Sequence, residues 1–287
     1  MLNSVHVFKD RAVRLFFTLL IIGLSLVMII PFIWMISASF KLQRDVMSIP
    51  IKWIPEYFYP DNYLQVLNIR GAGSRNYNLI LAYQNSIKLA VIDVFLTLAG
   101  AGLAGYAFAK LKFFGSRLLF IVFLAQLMIP PQLTLVPRFV MFSWFNINNT
   151  HWAIILPCLI SVTAVFMIRQ AFISVPDEMR ESAKIDGAGE FRIWLSICLP
   201  MIKPTLGALA TVQFLSNWNS YLYPLIFLSN WRLHTLPLAL NQFVGDTFSQ
   251  DNLTMAACTL AVIPVFIVFL SGQKFFVKGL TIGSLKG

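Results

Sequence analysis

The 287-residue chain is poor in charge and poorer in acid. Only 12% of its residues are Asp, Glu, Lys or Arg, and 58% are apolar. A soluble domain carries about 25% charged residues, so an ordinary water-soluble globule is excluded and a membrane protein is indicated. Acidic residues number 12 against 22 Lys and Arg, a formal charge of +10. That excess does not point to nucleic acid. No basic patch with interleaved aromatics occurs, and the cations stand beside hydrophobic runs, where the positive-inside rule explains them. Cysteine is scarce as well. Cys158, Cys198 and Cys258 are odd in number, far apart and set in apolar runs, without CxxC or Cys/His ligand spacing. Buried free thiols are expected, not a disulfide or a metal site. No G-x-x-x-x-G-K-[ST] phosphate loop, G-x-S-x-G elbow, HExxH or paired intramembrane carboxylates occur. The chain therefore has no ATP site of the phosphate-loop kind and no constellation for an intramembrane enzyme.

Long hydrophobic runs are what it has in plenty. They cover residues 15–36, 79–108, 118–141, 152–172, 206–228 and 255–276. About 20 helical residues cross a ~30 Å hydrocarbon core, so the pattern predicts an all-α membrane protein of six transmembrane helices. The first run is too long for the ~7–15-residue core of a signal peptide and reads as an uncleaved span. Of the 22 Lys and Arg, eight (Lys41, Arg44, Lys52, Arg70, Arg75, Lys88, Arg138 and Arg232) fall outside the segments assigned to the cytoplasm, six of them in or near the long first loop. The other fourteen favour both termini inside. Lys41 to Asn78, punctuated by Pro50, Pro55 and Pro60 and rich in aromatics, reads as a structured external loop at headgroup level. His151 ends an external turn, Asn146 to His151, and is expected to be solvated or interfacial.

Several residues inside the runs ask for a role. Gly100, Gly102 and Gly105, among alanines, let helices approach closely. Asp93 is an ionisable group at membrane depth, so it faces protein or water. Lys88, five residues away, is badly spaced to pair with it on a helix. Lining of a cavity, a contact between subunits, and a purely structural hydrogen-bonded role all remain open for Asp93. Pro130-Pro131 removes two backbone donors and breaks the third run. The break marks either a bend near a translocation path or a structural kink.

The charge-rich stretch of the second half is the loop at 174–204, between the fourth and fifth runs. Ser174 with Asp177 matches a capping box and Pro176 suits a first turn, so a helix is expected to begin there. Asp186-Gly187 is turn chemistry. A second short helix, Phe191 to Cys198, is expected to stop before Pro200. Glu181-Ser182-Ala183, three residues, Gly187, nine residues and Ile197-x-Leu199-Pro200 resemble the EAA motif of ATP-driven (ABC) importer permeases. Ser182 stands where that motif has its first Ala, and Asp186 and Ala188 fit the form around its Gly. Asn217-Trp218-Asn219, Tyr223-Pro224-Leu225 and Thr235-Leu236-Pro237-Leu238 resemble segments of carbohydrate-uptake permeases. The ending Gly279 to Gly287 resembles the tail of the second permease of maltose-type importers.

The resemblance implies a type I ABC importer permease fold, one permease domain over 1–287, with a cytoplasmic coupling helix pair in the 174–204 loop. It implies that Glu181 offers a carboxylate to a basic groove on an ATPase, that Ala183 keeps the contact close, and that Gly187 makes the bend. Ser182, Asp186, Ala188, Ile197, Leu199 and Pro200 complete the motif. Implied partners are a second homologous permease, two ATPase subunits and an external solute-binding protein, in the lipid of a prokaryotic cytoplasmic membrane. No nucleic acid and no metal are implied. No cofactor is expected on this chain; ATP and Mg are used by the ATPase subunits, which the polar tail is implied to reach. The implied cargo is a sugar or oligosaccharide, with another small solute, or a self-sufficient secondary carrier, as the alternatives. Asn217, Asn219, Tyr221 and Tyr223 have the hydrogen-bonding groups and ring faces that sugars need; helix packing and an interfacial aromatic belt are their other reading. Asp93 joins them as a candidate on the solute path.

Overall fold

A computed structural model of the chain describes residues 2–67, 78–246 and 250–284, with side chains over 13–67, 78–245 and 250–275. Among the described residues no strand occurs. The helices, in order, are α1 (Leu2–Ser39), α2 (Gln43–Val46), α3 (Asp61–Leu67), α4 (Leu79–Lys110), α5 (Ser116–Ala125), α6 (Leu135–Trp144), α7 (Trp152–Ile155) and α8 (Val162–Ile173). They continue with α9 (Asp177–Ile185), α10 (Glu190–Ile193), α11 (Leu199–Met201), α12 (Lys203–Trp218), α13 (Leu222–Phe227), α14 (Leu236–Asp246) and α15 (Asp251–Ser284). Four segments are long and apolar enough to cross a bilayer: Val13–Ser39, Leu79–Lys110, Trp152–Ile173 and Asp251–Phe275. Two bent pairs raise the number to at most six among the described residues. They are Ser116–Met128 with Pro131–Trp144, turned by 96°, and Glu190–Met201 with Lys203–Trp218, turned by 79°.

The chain divides into two compact units, residues 1–72 with 243–260, and residues 73–242 with 261–287. In the first, the segment after α1 is ordered by buried polar side chains. Lys41 is 1% exposed. Its ammonium donates to the Lys52 carbonyl and lies 4.0 Å over the Trp34 ring. Burial pushes its pKa below the ordinary lysine value. Asn62 donates to the carbonyls of Ser39 and Lys41, at 2.8 Å each, and accepts from Asn252 at 2.8 Å. A buried amide satisfied at both its nitrogen and its oxygen rigidifies the segment it bonds to.

The second unit is built around α4, which packs along α8 and α12. Asn78 caps it by accepting from the Leu81 amide at 3.0 Å. The small residues expected to permit close approach do so. A Cβ on Gly105 would lie 2.8 Å from Ile168 Cγ2 and 3.0 Å from the Arg169 nitrogen, and one on Gly100 only 2.4 Å from the Leu159 carbonyl. The core below them holds Tyr106, Ile168, Phe172, Ala183, Ile193 and Trp194.

Four expectations need correction. Residues 206–228 are not one helix: α12 ends at Trp218 and α13 starts at Leu222. Pro224 would clash with the carbonyl four residues back in a continuous helix, and at the end of α12 the Leu215 carbonyl accepts both the Asn219 backbone N–H at 3.1 Å and its side-chain amide at 2.9 Å. Residues 152–172 are likewise interrupted at Ile160 and Ser161, after a 3₁₀ turn at Leu156–Leu159 that contains Pro157. The capping box at Ser174 does not form. Ser174 closes α8 instead, its hydroxyl donating to the Ala171 carbonyl at 2.8 Å, and α9 begins after Pro176 without a side-chain cap. Finally, the helix does not stop before Pro200. It widens into a π turn at Trp194–Cys198 and runs on through α11. The wider turn shifts the carbonyl that would collide with the proline ring, the usual way a helix absorbs such a residue. His151, expected to be solvated or interfacial, is half-buried, and its Nε2 pairs with the Leu233 carbonyl at 3.0 Å.

Candidate functional site

The 174–204 loop is a finished piece of architecture. α9 closes with Asp186, after which Gly187 adopts φ +82°. The Gly187 amide donates to the Lys184 carbonyl at 3.0 Å and the Ala188 amide to the Ala183 carbonyl at 2.9 Å. This pair of bonds is the Schellman closure, which needs a residue comfortable in the left-handed region. Ala183 is buried in the core and Ala188 packs against the same cluster, as do Ile197 and Leu199. Glu181, Ser182 and Asp186 are exposed, as is Pro200. Ser182 donates back to the Glu178 carbonyl at 2.8 Å. Met179, Phe191 and Ile185 are exposed too, Ile185 at 87%. A short helix therefore presents both apolar and acidic groups to the outside while its inner face is anchored.

The anchors come from α4. Lys110 is 8% exposed; its ammonium donates to the Val175 carbonyl at 2.6 Å and to Asp177 at 2.8 Å. That contact holds the Asp177 carboxyl below the usual carboxylate range. The Tyr106 hydroxyl donates to Glu190 at 2.7 Å. Glu190 also pairs with Arg180 at 3.3 Å and with Lys184. The Trp194 indole N–H donates to the Gly102 carbonyl at 3.1 Å.

The second site is a cavity of about 350 Å³ in the same unit. Three interrupted helices open onto it. Pro131 follows the break between α5 and α6, Cys158 and Ser161 flank the break before α8, and Asn217, Ser220 and Tyr223 bracket the break between α12 and α13. Non-helical backbone at membrane depth is tolerated where it is buried in protein or lines a cavity. Asp93 forms part of the wall and is 2% exposed. Its carboxylate accepts from Thr97 at 3.0 Å and from the Gln213 amide at 3.2 and 3.0 Å. Asp93 thus combines two of the readings left open for it, cavity wall and structural hydrogen bonding.

Of the remaining candidates, Asn217 and Tyr223 reach this cavity and Asn219 and Tyr221 do not. Asn219 caps α12, and the Tyr221 hydroxyl meets Asn241 at 3.2 Å. Sequence reasoning missed Arg138, Ser161, Gln213, Ser216 and Ser220 in the wall. A signal existed for three of them. Gln213, Ser216, Asn217 and Ser220 recur at helical spacing through an apolar run, the mark of one polar stripe. Among the described residues no cluster of His, Cys, Asp or Glu is arranged to hold a metal ion.

Comparison with known proteins agrees with this architecture. The arabinooligosaccharides transport system permease protein AraQ of Halalkalibacterium halodurans is 31% identical over 266 residues, 92% of this chain and 93% of that one. The lactose transport system permease protein LacG of Rhizobium radiobacter is 30% identical, with 90% and 91% of the two chains covered. A crystal structure of a bacterial ABC transporter involved in the import of the acidic polysaccharide alginate superimposes with a TM-score of 0.81. It is 21% identical, covering 93% of this chain and 98% of that one. Residues 97–282, which contain the loop and every cavity-wall residue except Asp93, match the family model of the binding-protein-dependent transport system inner membrane component. The chain therefore belongs to that family, a multi-pass membrane permease of the ABC transport systems.

Proposed function

We propose that this chain is a transmembrane subunit of an importer that moves a sugar or oligosaccharide across the cytoplasmic membrane, driven by ATP hydrolysis on separate subunits. Relatives named for arabinooligosaccharides and lactose support the cargo class. In this reading the two bent pairs each count as one span, giving six, and both termini lie in the cytoplasm. The working complex holds this chain, a second permease, two ATPase subunits and an external binding protein. The solute passes the cavity bounded by Asp93, Asn217 and Tyr223; Asn219 and Tyr221 act as helix-end supports for it.

The observation that carries the coupling role is the contrast between the two faces of the 174–204 loop. Its inner face is pinned to α4 by Lys110, Tyr106 and Trp194, while Glu181, Ile185 and Phe191 stand outside. A part built to transmit movement from a partner needs this combination of rigid seat and free contact surface. Gly187→Leu tests it. A Cβ at this position meets nothing within 4 Å, so the backbone strain comes from φ, about 1–2 kcal/mol. The variant is expected to insert in the membrane but to lose ATPase co-purification or to separate hydrolysis from uptake in reconstituted vesicles. Glu181→Lys is expected to do the same, more mildly if the contact stays wet. Normal assembly and wild-type transport by Gly187→Leu would show that the loop is not the coupling element.

A further inference from the structure

We propose that Arg138 determines which solutes enter the cavity, by binding an anionic group, a carboxylate or a phosphate, on the transported sugar. The inference rests on the reading of the cavity as the solute path. Arg138 lies on the first turns of α6, just after the 96° break that redirects the chain at Pro130-Pro131. That change of direction brings it to the cavity wall, where its guanidinium sits 5.6 Å from the Tyr223 ring centre. It has a ring face beside it but no anion: among the described residues it makes no ion pair and no hydrogen bond. The one carboxylate in the wall, Asp93, is already occupied by Thr97 and Gln213 and is turned away from solvent.

The wall carries one carboxylate and one guanidinium, and among the described residues the two form no ion pair, so the N–H donors of Arg138 are unengaged at the cavity. Guanidinium offers five N–H donors in a planar fork that fits two oxygens of a carboxylate or phosphate at once. The neutral groups beside it suit the rest of a sugar. The side chains of Ser216, Asn217, Ser220 and Tyr223 line the cavity and, among the described residues, make no hydrogen bond. One charged fork among several free hydroxyl and amide groups is the donor set for an acidic or phosphorylated carbohydrate. A neutral sugar would leave the guanidinium unpaired.

The test uses the complete transporter in detergent, with this chain's three cysteines replaced by Ser and Ser220→Cys added as a reporter in the wall. Alkylation of that thiol is followed while lactose, digalacturonate or glycerol 3-phosphate is titrated in. The two anionic probes are expected to protect the thiol at concentrations at least tenfold lower than lactose does. Arg138→Gln should erase the difference, and Arg138→Lys should keep part of it. Whichever anion protects at the lower concentration identifies the group as carboxylate or phosphate. Equal protection by all three probes, or an anion preference that survives Arg138→Gln, overturns the proposal. If lactose protects and is also transported, the importer reading stands without it. If no probe protects, the cavity is not the solute path and both fall.

Discussion

Lys110→Met asks what the α4 anchor is worth. Methionine keeps most of the length and the apolar stem of lysine, so packing is nearly preserved and the change removes the ammonium alone. Two bonds disappear. The one to Asp177 contributes little, because that carboxylate side chain is 64% exposed while the lysine is 4% exposed. Water replaces the lost partner, and an exposed pair is worth about 0–1 kcal/mol. The bond to the Val175 carbonyl, 2.6 Å long and buried, is different. Leaving that acceptor without a donor costs about 1–3 kcal/mol. The sum is about 2 kcal/mol, roughly a thirtyfold change in an equilibrium constant. It should appear locally, since the bond joins the start of α9 to the end of α4. Hydrogen exchange of the α9 amides is expected to accelerate about thirtyfold, while amides of α4 near Leu89 keep their rates. Asp177→Asn is expected to cost under about 1 kcal/mol. If Asp177→Asn loosens α9 as much as Lys110→Met does, the ion pair holds the loop, and the carbonyl argument is wrong.

Two further outcomes follow from the same geometry. Gly187→Ala and Gly189→Ala both add a methyl to open space, but Gly189 has φ −70° and Gly187 φ +82°. Thermal melting in detergent should leave Gly189→Ala within about 0.5 kcal/mol of wild type and cost Gly187→Ala about 1–2 kcal/mol; equal melting would remove the backbone argument. Burial lowers the pKa of His151 and of His234, so both are held neutral in the folded chain. Their contribution is complete above the ordinary histidine value of about 6.5 and is lost as pH falls through their depressed folded values. Melting temperature should therefore drop between pH 7 and pH 5, and His151→Gln should flatten part of that drop.

The long helices were legible in the sequence because periodicity plays no part in reading them. α4 begins at the residue expected and ends two residues beyond it, and the glycines announced its close neighbours. The turn at Gly187 was legible because glycine has a backbone reason to be there. The breaks were harder. Pro130-Pro131 advertised the first, but Pro224 and Pro157 stop or bend helices whose apolar composition continues across them, so hydropathy reads straight through. Ser174 misled because one hydroxyl can end a helix or begin the next, and the carbonyl of Ala171 is the nearer partner. Arg138 was legible only as a charge on the wrong side of a ledger. Its place in the cavity wall depends on a 96° change of direction, and no local pattern encodes that angle.

α4 meets the 174–204 loop through Gly102, Tyr106 and Lys110, and the cavity wall through Asp93. Seventeen residues separate Asp93 from Lys110, about 26 Å of helix axis at 1.5 Å per residue. A tilt of about 5° in such a rod sweeps its far end through roughly 2 Å. That is comparable to the width of the gap between making a hydrogen bond to a hydroxyl and losing it. The glycines that let α8 lie so close leave α4 little slack to bend within this interval. If the loop is the coupling element proposed above, a push on it of a few ångströms would reach Asp93 and Gln213 as a displacement of similar size, with the stiffness of one helix setting the gain between the two ends.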